Sequence, residues 1–260
     1  MEQLKNPFVI YGYKGAEYFC DRKKETETLI NALRNERNVV LISPRRVGKT
    51  GLIHHVFEQV RKNEPDTRCF YMDINATRNM SQFIQFLAKT VVGQVDTFSQ
   101  AALRKITSFF SSYRPTVSFD ELTGSPTFSI TVASDRQEES LKHIFEYLKQ
   151  SDKRIYIAID EFQQIAEYPE KGAEALLRSY IQFLPNVYFI FAGSNQHLMS
   201  EMFLSAKRPF YQSSQIMSLP LIDVGEYEVF ANRWLKQKGI EISDSDFRYI
   251  YDLVDGQTWY

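Results

Sequence analysis

Apolar positions along this chain follow two alternating rhythms. Short continuous apolar runs occur at 38–42, 69–72, 155–159, 187–191 and 215–219. Runs of that length, bounded by polar or turn-forming residues, predict strands buried on both faces. Between them, apolar residues recur every three to four positions, the spacing of one helical face. This predicts helices over 23–35 (Leu29, Ile30, Leu33), after residue 50 (Leu52, Ile53, Val56, Phe57, Val60), over 138–150 and over 174–183. A further helix, with Ser81 as its cap, carries Phe83, Ile84, Leu87 and Val91, and helical character is expected to continue to about residue 110. Alternation of this kind implies an α/β fold. A parallel sheet of five strands is covered by helices on both faces, a three-layer αβα sandwich.

Three segments leave the rhythm. Residues 1–22 are rich in aromatics and turn formers (Phe8, Tyr11, Tyr13, Tyr18, Phe19), which predicts an ordered arm lying on the body, because so much aromatic surface is costly to leave in water. Residues 113–135 read as two strands about a Gly/Pro turn, a β-hairpin insertion that serves either as decoration or for recognition of a partner. After Pro220 no strand pattern remains, only amphipathic helices over 226–238 and 246–254. The expected organisation is a core over 1–220 and a helical segment over 221–260, the start of a helical domain cut short.

Composition narrows the class. The chain has 260 residues, with 31 Lys plus Arg against 32 Asp plus Glu and a formal net charge of −1. Near-neutral charge argues against a protein that coats nucleic acid, although a local basic patch stays open. The two cysteines, Cys20 and Cys69, form neither a disulfide framework nor a zinc-ligand spacing. No stretch reaches the length of a membrane span, and the first residues lack a secretory apolar region, so a cytoplasmic location is expected.

The chemistry concentrates where two strands end. Ser43-Pro44-Arg45-Arg46-Val47-Gly48-Lys49-Thr50 fits G-x-x-x-x-G-K-[ST] except that Ser43 stands at the first position. A strand precedes it and an amphipathic helix follows. In such a loop Gly48 lets the main chain approach phosphates, and successive N–H groups and the helix N-terminus supply positive potential. Lys49 reaches the β- and γ-phosphates of a nucleoside triphosphate, and Thr50 ligates Mg²⁺. The strand at 155–159 ends in Asp160-Glu161, which suits Asp160 to the metal and Glu161 to activating the attacking water.

Those segments, with Ile157-Ala-Ile-Asp-Glu-Phe-Gln-Gln-Ile165, Phe189-Ile-Phe-Ala-Gly-Ser194 and Tyr18-Phe-Cys-Asp-Arg22, resemble P-loop ATPases of the AAA+ type. More narrowly, they are similar to archaeal-type ATPases of the STAND signalling class. The resemblance implies a sheet of order 5-1-4-3-2, ATP and Mg²⁺ as ligands, and a helical lid. It implies that Ser194, with Asn195 as neighbouring candidate, occupies the polar sensor position of the fourth strand. It places Arg22 near the adenine, adds Gly51 to the phosphate loop, and lets Arg208 approach the γ-phosphate. Cys20 departs from the usual glycine of the flanking motif, and Gly256-Gln-Thr-Trp259 matches the lid sensor only loosely.

Lesser signals carry less. Arg45 and Arg46 are open to phosphate, partner or water. His54 and His55 are adjacent on a helix and share no face, which argues against a joint metal site. Trp234 and Tyr227 read as lid core. The expected function is Mg²⁺-dependent ATP hydrolysis at the β–γ bond, used as a conformational or signalling switch toward a protein partner, with oligomerisation open. The alternatives are a nucleotide-loaded interaction switch with negligible turnover and a DNA-linked motor.

Overall fold

The elements of the computed structural model run α1 (Lys23–Arg34), β1 (Val39–Ile42), α2 (Lys49–Asn63), β2 (Arg68–Asp73), α3 (Met80–Val91), β3 (Thr116–Phe119), β4 (Pro126–Ser129), α4 (Gln137–Lys149), β5 (Ile155–Asp160), α5 (Ala173–Ile181), β6 (Val187–Gly193), α6 (Gln196–Leu204), β7 (Gln215–Ser218), α7 (Val224–Lys236) and α8 (Asp244–Leu253). The structure describes residues 4–92, 94, 95, 116–119, 126–129 and 131–257.

Strands β1, β2, β5, β6 and β7 pair in parallel in the order β2-β5-β6-β1-β7. Counted among themselves, these strands run 2-3-4-1-5, which is the order the resemblance implied, read from the opposite edge. The apolar runs are continuous because each strand feeds two cores. Val40, Ile42, Ile157, Ile159, Phe189 and Phe191 pack under α3, α4, α5 and α6. Val39, Leu41, Tyr156, Ala158, Tyr188 and Ile190 pack under α1 and α2. Each such large apolar side chain contributes about 1.5–3 kcal/mol relative to exposure.

Several expectations need correction. The cap of α3 is Asn79, not Ser81: Asn79 is extended, and its side chain accepts from the Gln82 N–H. Ser81 lies within the first turn, where its hydroxyl accepts from Gln137 Nε2 at 2.9 Å. Helix α3 ends at Val91 because Val92 turns extended, and the expected continuation beyond residue 95 lies outside the described residues. Strands β3 and β4 form the antiparallel pair foreseen at 113–135; the turn between them lies outside the described residues. Helix α6 was not expected. Its apolar positions (Leu198, Met199, Met202, Phe203, Leu204) span scarcely two turns.

Candidate active site

The carboxyl ends of parallel strands are where ligands bind in such sheets, and β1, β2, β5 and β6 all end at one cleft. At the end of β1, Ser43 is buried and does not take positive φ. A serine is therefore tolerated at the position where the motif has glycine. The turn instead spends its left-handed conformations at Arg46 (φ 68) and at Gly48 (φ 86), which is the N-cap of α2. A Cβ at Gly48 would meet no atom within 4 Å, so the glycine serves backbone conformation and leaves open room before the helix.

Lys49, which opens α2, is buried and faces two acids. Its Nζ lies 3.4 Å from Asp160 Oδ1 and 3.3 Å from Glu161 Oε1. Thr50 Oγ1 donates to Asp160 Oδ2 at 2.8 Å. Tyr71 donates to the same oxygen at 2.9 Å. Burial, reinforced by the Asp160 charge, pushes the Tyr71 phenol well above its ordinary value, so it stays a donor. Asp73 ends β2 in register with Asp160 and lines the cleft. Burial raises its carboxyl, and Asp160 and Glu161 add to the rise.

Glu161 sits in the left-handed region (φ 56), directly after β5. That turn sends Phe162 down among Phe191, Phe203 and Phe210 and leaves Glu161 facing the phosphate loop. Its Oε2 accepts from Ser194 Oγ at 2.8 Å and from Gln163 Nε2 at 2.5 Å. Burial pushes the Glu161 carboxyl up, but the bonds from Gln163 and Ser194 and the Lys49 ammonium outweigh it and hold the group below its ordinary value.

The phosphate loop, Asp73, Glu161 and Ser194 form the polar end of a cavity of ≈ 510 Å³. The other end is apolar, built by the N-terminal arm (Phe8, Tyr13, Phe19) and by Ile222, Tyr227 and Phe230 at and within the start of α7. The arm is fixed at both sides. Tyr13 bonds His55 Nδ1 at 2.8 Å and also Glu58, and Phe19 stacks on His55. Tyr18 stacks on Trp234 with centroids 5.1 Å apart.

The predicted residues are not all brought together. Arg45, Arg46, Val47, Pro44 and Gly51 line the cavity with Gly48, Lys49 and Thr50. Arg45 Nε donates to Ser194 Oγ at 3.4 Å. Arg22 also lines it, yet its guanidinium is spent on Val47 O (3.1 Å), Pro220 O (2.6 Å) and Glu25. It braces the phosphate loop against the entry to α7 and is not free to read a base. Asn195 is consumed as the cap of α6, accepting from the Leu198 N–H. Arg208 is held by Glu174 (2.7 Å) and Glu201 (3.7 Å) and does not line the cavity. Trp234 is buried and stacks on Tyr18, whereas Tyr227 reaches the cavity wall. His54 packs on Tyr71 and His55 bonds Tyr13, and both imidazoles lie against the Tyr13 ring. Sequence reading missed Tyr71, Asp73 and Gln163. Asp73 was within reach, since the strand at 69–72 needed only one more residue.

The family of the ATPase domain predominantly from Archaea matches residues 19–260. The chain is 26% identical to the uncharacterized ATP-binding protein MJ0147 of Methanocaldococcus jannaschii, covering 93% of this chain and 67% of that one. Among solved structures it is similar to the Walker-type ATPase PABY2304 of Pyrococcus abyssi, with TM-score 0.64 and 18% identity over 98% of this chain and 69% of the other. It is also similar to the ORC2 protein of Aeropyrum pernix in its ADPNP-ADP complexes, with TM-score 0.57 and 16% identity over 89% and 55%. At those identities the two structures speak for the P-loop NTPase fold. The chain spans about half to two thirds of the lengths of these proteins.

Proposed function

The chain belongs to the family of ATPase domains found predominantly in Archaea, and from that membership and the site we propose that it binds ATP with Mg²⁺ and hydrolyses the β–γ bond. The observation that carries the reading is the placement of Lys49 Nζ at 3.3–3.4 Å from both strand-end acids, at the N-terminus of α2. A buried ammonium between two carboxylates is a cation parked where the phosphates of a ligand would compete for it.

The residues present fit both ligands. Open space before Gly48, N–H groups of the first turn of α2 and an aromatic far end suit a triphosphate with a planar base. Thr50 and Asp160 offer the hard oxygens that Mg²⁺ takes. Among the described residues no group of three or more His, Cys, Asp or Glu could hold a metal unaided. One carboxylate and one hydroxyl supplemented by phosphate and water is the usual magnesium arrangement. When bound, the ion neutralises charge on the β- and γ-phosphates.

The chain's own groups divide the work. Lys49 transfers from the acids to the phosphates. Glu161, then relieved of the lysine, takes the proton of a water whose oxygen attacks the γ-phosphorus as the bond to the ADP oxygen breaks. Ser194 keeps its bond to Glu161 Oε2 and so links the end of β6 to the base. Arg22, bonded to both Val47 O and Pro220 O, couples the phosphate loop to the helices that follow, which suits a conformational switch. A second reading, a loaded switch with little turnover, is favoured by the three side-chain donors already occupying Glu161.

Thermal unfolding with ATP·Mg²⁺ and with GTP·Mg²⁺ tests the binding half. Ligand at about 100 times its Kd adds roughly 2.7 kcal/mol of stability. ATP is expected to give this shift, GTP a smaller one, and Lys49→Ala none. An undiminished shift in Lys49→Ala would place the nucleotide elsewhere.

A further inference from the structure

Building on the reading of Glu161 as general base, we propose that Gln163 is the positioning residue that aims its carboxylate, in a slot that Gly193 leaves open for it. A glutamate carries a long, rotatable side chain, and a base works only when its lone pair is held within hydrogen-bond reach of the water. Three side chains restrain Glu161. Lys49 is the one for which phosphates compete. Ser194 shares its hydroxyl with Arg45, a residue of the cavity wall. Gln163 has neither liability. It is buried, it stands outside the cavity lining, and its Nε2 lies 2.5 Å from Glu161 Oε2.

The orientation of the amide follows from chemistry. An ionised carboxylate only accepts, so the nitrogen of Gln163 must face it. The carbonyl end then points away, and Gln163 Oε1 is buried without a hydrogen-bond partner. An unmet buried acceptor is costly, and the arrangement keeps it while satisfying Glu161.

Gly193 supplies the space. Its φ is not in the left-handed region, so backbone freedom does not call for glycine there. A Cβ at Gly193 would lie 2.6 Å from Met199 and closer still to Gln163 Oε1. The last residue of β6 and the second residue after Glu161 are thus fitted to one another, while Phe162 anchors the intervening turn in the core.

The test compares wild type, Gln163→Met, Gly193→Ala and Glu161→Gln in the full chain. Gln163→Met keeps length and removes the donor. Phosphate release gives kcat, KM and their pH dependence. Carboxylate ¹³C NMR without nucleotide follows the titration of Glu161, with its signal assigned by loss in Glu161→Gln. Expected for Gln163→Met are an unchanged KM for ATP·Mg²⁺ and a kcat lowered by roughly tenfold, a fraction of what a general base supplies. Glu161 should titrate at higher pH, and the acid limb of kcat should rise with it, because a donor to the charged form has gone. Gly193→Ala, which displaces the amide and does not delete it, should move the same quantities in the same direction. If Gly193→Ala fails to fold, Gln163→Met alone decides. If Gln163→Met matches wild type in rate and titration while Glu161→Gln is inactive, the assignment of Gln163 falls and the base stands. If Glu161→Gln releases phosphate at the wild-type rate, the base and this role for Gln163 fall together.

Discussion

Tyr71 Oη and Thr50 Oγ1 both donate to one oxygen of Asp160, at 2.9 and 2.8 Å, so the carboxylate proposed for the metal is oriented from β2 as well as from the phosphate loop. If Mg²⁺ binds there, the Thr50 hydroxyl would offer the ion its oxygen, and Tyr71 would hold Asp160 from the other side. Groups behind a metal ligand typically matter about 10–100-fold in affinity or activity. Tyr71→Phe is expected to raise the Mg²⁺ concentration for half-maximal phosphate release roughly tenfold. It should lower stability by about 1 kcal/mol, as for one lost hydrogen bond. A magnesium titration of the variant checks this, and an unchanged midpoint would relegate Tyr71 to packing.

Ser43 gives a sharper distinction between motif and mechanism. Its backbone does not need positive φ, and the turn places that conformation at Arg46 and Gly48 instead. Restoring the motif glycine with Ser43→Gly should therefore leave the ATP-induced thermal shift unchanged. Isothermal titration of the two proteins side by side is the check. Several-fold tighter binding by Ser43→Gly would mean that the serine hinders the phosphates.

Arg208 meets Glu174 and Glu201 on the core, beside α5 and α6, and that contact predicts a pH signature. Burial raises the Glu174 carboxyl, with Arg208 opposing the rise. In Arg208→Gln the opposing charge is gone and the carboxyl rises further. The ionised form is then penalised at neutral pH, and the penalty fades as the pH falls through the raised pKa. The variant should lose about 1–3 kcal/mol near pH 7, discounted from a fully buried pair because the Arg208 side chain is 26% exposed. Denaturant unfolding at pH 7 and near pH 5 should show the gap to wild type shrinking at the lower value.

What the sequence disclosed and what it hid have physical causes. The placement of Gly48, Lys49, Thr50, Asp160 and Glu161 was legible because it is local, set by where a buried strand ends and a helix or turn begins. The strands were legible because burial on both faces makes their apolar runs continuous. Tyr71 and Gln163 were not: Tyr71 meets Asp160 only through the register of β2 against β5, and Gln163 meets Glu161 only because the chain turns left-handed at Glu161. Arg22 was placed near the ligand, but its side chain turned to main-chain oxygens of Val47 and Pro220, a choice fixed by distant parts of the chain. Ser81 and Asn79 are both good caps. The extended backbone at Asn79 decided between them.

The most direct measurement of the central claim is phosphate release from ATP·Mg²⁺ by wild type and by Glu161→Gln, each shown by thermal shift to bind the nucleotide. The site predicts that Glu161→Gln binds as well as wild type and releases phosphate slower by about 10²–10⁴-fold. Equal release by the two proteins, with binding intact, would contradict it.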